Sequence, residues 1–259
     1  MNQTFLTDNT MQQHTETNKI NKLQIYRSNQ RVTEKRPGFQ SFQSFNFSYS
    51  YREGRDGLKA LRVFNDDFVE HNTRIPLHPH VNYEILSVVL EGEMSHEDNF
   101  GNNILVQADE VKCMSAGKGL YHGGTCYHST NFLQIWIEPN VRDTEPVIAK
   151  MTFNESERIG KWQLQVSPNQ ADGVLHIKQS IYAYRGNFKQ GERVTFEELP
   201  SVDVFLFPLK GAFQIYDQLV DKRDSAEFTT QNGFEIEILQ DADLWLMAQP
   251  NTKNENKTN

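Results

Sequence analysis

Histidine is spread unevenly along this chain. Seven of its eight copies, His14, His71, His78, His80, His96, His122 and His128, precede residue 130, and His176 stands alone beyond it. Two of them sit one residue apart in Leu77-His78-Pro79-His80. Side chains two apart on a strand share a face, so both imidazoles can reach one ion. Glu84 has the same parity, and an unbroken strand would carry it on that face as well. Imidazole suits iron, copper, nickel and zinc. By itself the pair is also what two solvated loop histidines beside a proline would look like. About forty residues on, Met114-Ser115-Ala116-Gly117-Lys118-Gly119-Leu120-Tyr121-His122 offers a glycine turn that re-aims the chain and starts a new strand at His122. A third histidine from a neighbouring strand completes a facial set. Non-haem iron sites use such sets to keep positions open for dioxygen and substrate.

The other candidates carry less. His96 precedes a charged turn and is expected as an exposed strand end, and His71 as a loop residue. Cys113 falls in a strand pattern and reads as a buried free thiol. Cys126 lies near the expected pocket mouth, where a redox role could arise, but nothing in the sequence suggests a lowered pKa. Tyr121, Trp136 and Phe64 read as core side chains rather than substrate-stacking groups.

These residues need strands to position them. Phe45, Phe47, Tyr49 and Tyr51 alternate with Asn and Ser, the period of a half-buried strand. Leu58–Phe64, Glu84–Leu90, Met94–Asp98, Ile104–Val106, Val111–Met114 and Phe132–Ile137 follow as short strands separated by Gly or Asn turns, such as Asn99-Phe100-Gly101-Asn102. Residues 141–172, with Pro146, Pro168 and many charges, read as a connector. A second strand-rich region covers 173–249. Strong helical periodicity is missing, so the expected class is all-β, a sandwich or barrel in each half. Residues 1–22 and 250–259 are polar and hold too few apolar groups to offset ordering entropy, so both are expected to be disordered.

Composition narrows the function classes. With 37% hydrophobic residues, 17 Phe and 9 Tyr, 259 residues can build a substantial core. The formal charge of −8, without a basic block, argues against direct nucleic-acid binding. Two cysteines make no disulfide framework, and no signal-peptide pattern or membrane-length apolar run is present. The expected setting is therefore cytoplasmic, with no membrane partner.

The segment Leu58–Asn140 resembles the N-terminal cupin of the pirin family, in its bacterial form. The resemblance rests on Ala60-Leu61-Arg62-Val63-Phe64-Asn65-Asp66-Asp67, His78-Pro79-His80, Glu84-Ile85-Leu86-Ser87-Val88-Val89-Leu90-Glu91-Gly92, His96-Glu97-Asp98, the Met114–His122 stretch and Leu133-Gln134-Ile135-Trp136-Ile137, kept in order and spacing. It implies a bicupin: two jelly-roll (double-stranded β-helix) barrels in one chain, the first at 23–140 and the second at 173–249, most simply as a monomer. It implies a divalent transition metal in the first barrel, iron first, with nickel, manganese, copper or zinc as alternatives. The ligands carried over are His78, His80 and His122.

The family's fourth ligand is a glutamate two residues after the last histidine, where this sequence has Gly124. Three histidines plus water, recruitment of Glu84, or a reach back by His128 would each complete the site, and a weakened site is the remaining outcome. Glu84 is otherwise expected to orient a ligand histidine from behind. The activity implied is a metal-dependent dioxygenase opening a flavonol such as quercetin, a small aromatic substrate. The lost glutamate is also the family's natural base for the flavonol proton. Glu84 is then the remaining candidate base, and weak or altered activity is expected. The alternatives are a redox-sensitive regulator with a protein partner, and a structural bicupin with a vestigial site.

Overall fold

The computed structural model describes residues 20–171 and 173–251. Within them are twenty strands and two single-turn 3-10 segments. The strands of the first half are β1 Ile20–Tyr26, β2 Val32–Arg36, β3 Phe39–Gln43, β4 Leu61–Val69, β5 Thr73–His80, β6 Glu84–Glu91, β7 Glu93–Asp98, β8 Asn103–Gln107, β9 Glu110–Ser115, β10 Leu120–Cys126 and β11 Thr130–Ile137. The remainder are β12 Val147–Thr152, β13 Trp162–Ser167, β14 Leu175–His176, β15 Tyr182–Phe188, β16 Arg193–Phe196, β17 Val202–Ile215, β18 Gln218–Val220, β19 Ser225–Thr230 and β20 Phe234–Pro250. The all-β bicupin expectation holds. No helix among the described residues is long and apolar enough to cross a membrane.

The first barrel is made of two antiparallel sheets. One runs β12-β9-β6-β11-β4-β3-β2 and the other β5-β10-β7-β8. The second barrel is one nine-stranded sheet, β1-β19-β17-β20-β15-β13-β14, with β18 on β17 and β16 on β20. Its long strands β17 and β20 slip register at Pro208/Lys210, Lys210/Ala212 and Ala212/Phe213. Bulges bend a strand, so one sheet can wrap a core on two sides. That core is apolar, with Phe188, Phe196, Phe213, Phe228 and Phe234 among its members.

The barrels meet face to face. Phe45, Phe64, Leu86, Val88, Leu133 and Ile135 pack with Phe205, Phe207, Leu209, Trp245 and Met247 in one buried cluster. Phe64 lies 4.6 Å from Phe205 and 4.8 Å from Phe207 between ring centroids. The join has a polar rim, where Arg223 bonds Asp66 at 2.8 Å and Asn131 at 3.1 Å, and Arg55 bonds Glu227.

Several elements differ from expectation. Of the arm expected at 1–22, residues 1–19 lie outside the described residues, while 20–22 begin β1. This strand pairs with β19, so the chain's first described segment is a strand of the second barrel's sheet. Its apolar residues Ile20, Leu23 and Ile25 pack on that core, and a bulge between Asn21 and Gln24 breaks their period-two spacing. Of the expected tail, Pro250 ends β20 and 252–259 lie outside the described residues. In the segment read as a connector, β12 pairs with β9 and β13 with β15, so it carries a strand of each barrel. The aromatic alternation Phe45–Tyr51 is not a strand. Asn46 instead holds a loop through bonds to Arg52 N and O, Phe45 is buried between the barrels, and Tyr49 and Tyr51 face solvent.

Candidate metal centre

The centre is built by β5 and β10. These strands pair antiparallel, with His122 opposite His78 and Leu120 opposite His80. Strand parity turns His78 and His80 the same way. Pro79 and Pro76 are tolerated because β5 is an edge strand, where a missing N–H costs no ladder bond. The three rings form a triangle with centroid separations of 4.5 Å (His78–His122), 4.9 Å (His80–His122) and 4.8 Å (His78–His80). One ring nitrogen from each lies within 4.8 Å of the others.

The donor atoms fit a cation. His80 and His122 are buried, and their Nε2 atoms have no hydrogen-bond partner. A buried polar atom without a partner is costly, so two beside each other call for a shared occupant. His78 Nδ1 lies 2.8 Å from the Pro76 carbonyl oxygen. A carbonyl only accepts, so Nδ1 carries the proton and leaves the Nε2 lone pair free to ligate. Burial, then the neighbouring His78 and Lys112, pushes the His80 imidazole down to about 3. Burial, followed by Lys112 and the other histidines, drives His122 lower still. Both rings are therefore neutral at pH 7, the form that binds a metal. Trp136 sets its ring edge-on to His80 at 4.7 Å and limits its rotation.

Behind His122 lies a group that sequence reasoning missed. His96, expected at an exposed strand end, is fully buried and stacks on His122 at 5.1 Å. Lys112 on β9 is also buried, and its Nζ lies 3.3 Å from His96 Nδ1. An ammonium only donates, so Nδ1 accepts and Nε2–H points to Asp98 Oδ2 at 3.3 Å. Burial pulls the Lys112 ammonium down to about 8, and burial with Lys112 takes His96 down to about 4. Burial would raise the Asp98 carboxyl, but hydrogen bonds from Asn102, His96 and the Phe100 amide outweigh it and hold it low. The signal available in sequence was parity: Lys112 alternates with Val111 and Cys113, which face the second barrel, and so must point into the first.

Glu84 is a correction. The structure does not bring it to the histidines. Its carboxylate accepts from Ser115 Oγ at 2.6 Å and from the Lys178 amide at 3.3 Å, on the side facing the second barrel. Parity from His80 fails because Asn82 adopts a left-handed conformation (φ 54°) and the chain passes from the four-stranded to the seven-stranded sheet. His128 is exposed and bonds Glu93 at 3.1 Å, and so does not reach back. Cys126 is buried in the apolar cluster of Val69, Val89 and Met94 rather than at a mouth, and burial raises its thiol pKa. Cys113 is buried as expected, and Tyr121 is exposed.

Gly124 is held by packing. Strand β10 slips register between His122 and Gly124, squeezed between β5 and β7. A Cβ on Gly124 would run into the Ser95 carbonyl, 2.8 Å from its carbon and nearer its oxygen, and one on Gly123 would stand 2.6 Å from the Ile75 oxygen. The position that lacks a carboxylate therefore has no room for any side chain as the strands stand.

Comparison with known proteins agrees with this geometry. Residues 26–137 match the family model described as Pirin, and residues 164–248 match the Quercetinase C-terminal cupin domain. The chain is 31% identical over 229 residues to the quercetin 2,3-dioxygenase of Escherichia coli strain K12, covering 87% of this chain and 98% of that protein. It is 32% identical over 206 residues to a pirin-like protein of Caulobacter vibrioides, covering 78% and 89%. The crystal structure of YhhW from Escherichia coli superposes with a TM-score of 0.83 at 28% identity, covering 90% of this chain and all of that one. The bacterial pirin YhhW in complex with nickel(II) gives 0.82 at 28% identity, with 89% and 100% covered.

Proposed function

The chain belongs to the pirin family, and on that premise we propose that His78, His80 and His122 hold a divalent transition metal in a dioxygenase centre of the quercetin 2,3-dioxygenase type. The observation that carries this is the convergence of three imidazoles, two of them neutral and buried with unpartnered Nε2 atoms. Iron is the first expectation for the metal, and the nickel(II) bound to the related YhhW makes nickel a close second. When bound, such an ion supplies the polarisation and juxtaposition of a flavonol-type oxygen and dioxygen. The protein's part is to hold the three nitrogens facially, to keep His80 and His122 neutral through burial, and to fix the His78 tautomer through Pro76. Glu84 has no part in it, because its carboxylate is committed to Ser115 and Lys178.

No carboxylate joins the histidine cluster among the described residues. A neutral flavonol would therefore find no carboxylate base beside the ligands, so quercetin turnover should be slow and rise with the ionised fraction of the substrate. Two measurements test this. Elemental analysis of protein purified without chelator should find about one divalent transition ion per chain, and His78→Ala and His122→Ala should lose it. Quercetin loss under oxygen should then be followed with iron, nickel, manganese and copper between pH 6 and 9. Protein that binds none of these ions would sink the proposal. Bound metal with no turnover of any flavonol would leave a metal-binding protein without this activity.

A further inference from the structure

Lys112 is buried inside the first barrel, yet among the described residues no carboxylate lies within ion-pair distance of its ammonium. Among the described residues its one hydrogen bond goes to His96 Nδ1, which leaves two N–H groups without a partner there. A buried charge is normally paired, because desolvation costs several kcal/mol per ion. Asp98, whose charge acts on Lys112, is already engaged with His96, Asn102 and the Phe100 amide. The ammonium stands on the His122 side of the centre, behind a ring stacked on a ligand histidine. The centre thus combines a donor set with no negative charge, a buried cation beside it, and a glycine where packing excludes a carboxylate.

We propose that Lys112 makes this centre a receptor for a small anionic oxygen ligand, a carboxylate or an already ionised phenolate or enolate, which supplies the negative charge that no protein side chain provides. The inference rests on the metal reading above and names the substrate class for it. Lys112 acts as a positioning residue: it raises the local positive potential and offers two free N–H donors. No proton has to be removed by the protein, because the ligand arrives as an anion.

The test uses the full chain loaded with cobalt(II), whose visible bands report both metal uptake and ligand exchange. Acetate is titrated at pH 7 into the unmutated protein and into Lys112→Gln and Lys112→Met. The unmutated protein should bind acetate about tenfold or more tightly than either variant, as expected for losing a charged hydrogen-bond partner. Cobalt uptake should stay at one per chain in all three, and both variants should melt at or above the unmutated temperature because an unpaired buried charge is gone. In the unmutated protein acetate should also outcompete its neutral isostere acetamide, which keeps the test decisive if a variant misfolds. Equal acetate affinity across folded proteins, or no preference for acetate over acetamide, overturns the inference and leaves the metal reading intact. Failure to take up cobalt at all overturns both.

Discussion

Gly124→Ala is the smallest change that asks whether packing, rather than lost function, keeps this position bare. The added Cβ would lie 2.8 Å from the Ser95 carbonyl carbon, against an ordinary contact of 3.4 Å or more. The obstacle is backbone of β7, so no rotamer change relieves it. Either β7 retreats by about half an ångström or more, or β10 moves with its load. The pairs His122–Asp98 and Gly123–Glu97 that tie these strands stand two residues and one residue from the change. Overpacking of this kind costs about 1–3 kcal/mol. For a domain above 150 residues that lowers Tm by roughly 2–4 °C per kcal/mol, or about 2–12 °C. His122 rides on the same strand, so metal affinity should fall about tenfold or more, as for other displaced ligand shells. Gly124→Glu should suffer the same loss rather than gain a fourth ligand. Calorimetry and competitive chelator titration measure the two effects. An alanine variant with unchanged Tm and unchanged metal affinity would refute the argument that β7 excludes a side chain there.

Three further outcomes follow from the same geometry. The His80 pKa is about 3 in the fold and near 6.5 unfolded, so between those values the unfolded chain binds a proton that the fold refuses. Stability should fall as pH drops below about 6.5, and in His80→Gln the slope of stability against pH near 5 should lessen by about one proton, read from denaturant midpoints. Glu84→Ala strips two hydrogen-bond donors of a buried acceptor and should cost about 1–3 kcal/mol, yet leave metal content unchanged by elemental analysis. Loss of metal in that variant would show that Glu84 does serve the centre. Phe64→Ala opens a cavity against Phe205 and Phe207 and should cost about 3–5 kcal/mol in chemical denaturation, without altering cobalt spectra of the folded protein.

The sequence by itself determined the class of fold and picked out the three histidines that the structure brings together. Short strands with Gly and Asn turns, and the want of helical periodicity, specify an all-β chain because strand patterning is local. The pair His78/His80 is legible for the same reason, since two residues on one strand must share a face. Tertiary structure decided whatever crosses a strand boundary. Glu84 has the right parity only if the strand continues, and the left-handed turn at Asn82 ends that continuity and hands β6 to the other sheet. His96 and Lys112 are forty residues or fewer from the ligands in sequence, but only the closure of β7 and β9 around the barrel stacks one on His122 and sets the other beside it. In sequence, residues 20–22 read as the end of a polar arm and 23–26 as the start of the first barrel, until β19 offers the whole strand Ile20–Tyr26 an edge. Even Gly124, which in sequence marks a missing ligand, takes its meaning from β7, whose backbone fills the space a side chain there would need. Parity and turn chemistry are properties of a segment, whereas burial, ring stacking and close approach belong to pairs of segments that the linear chain does not place together.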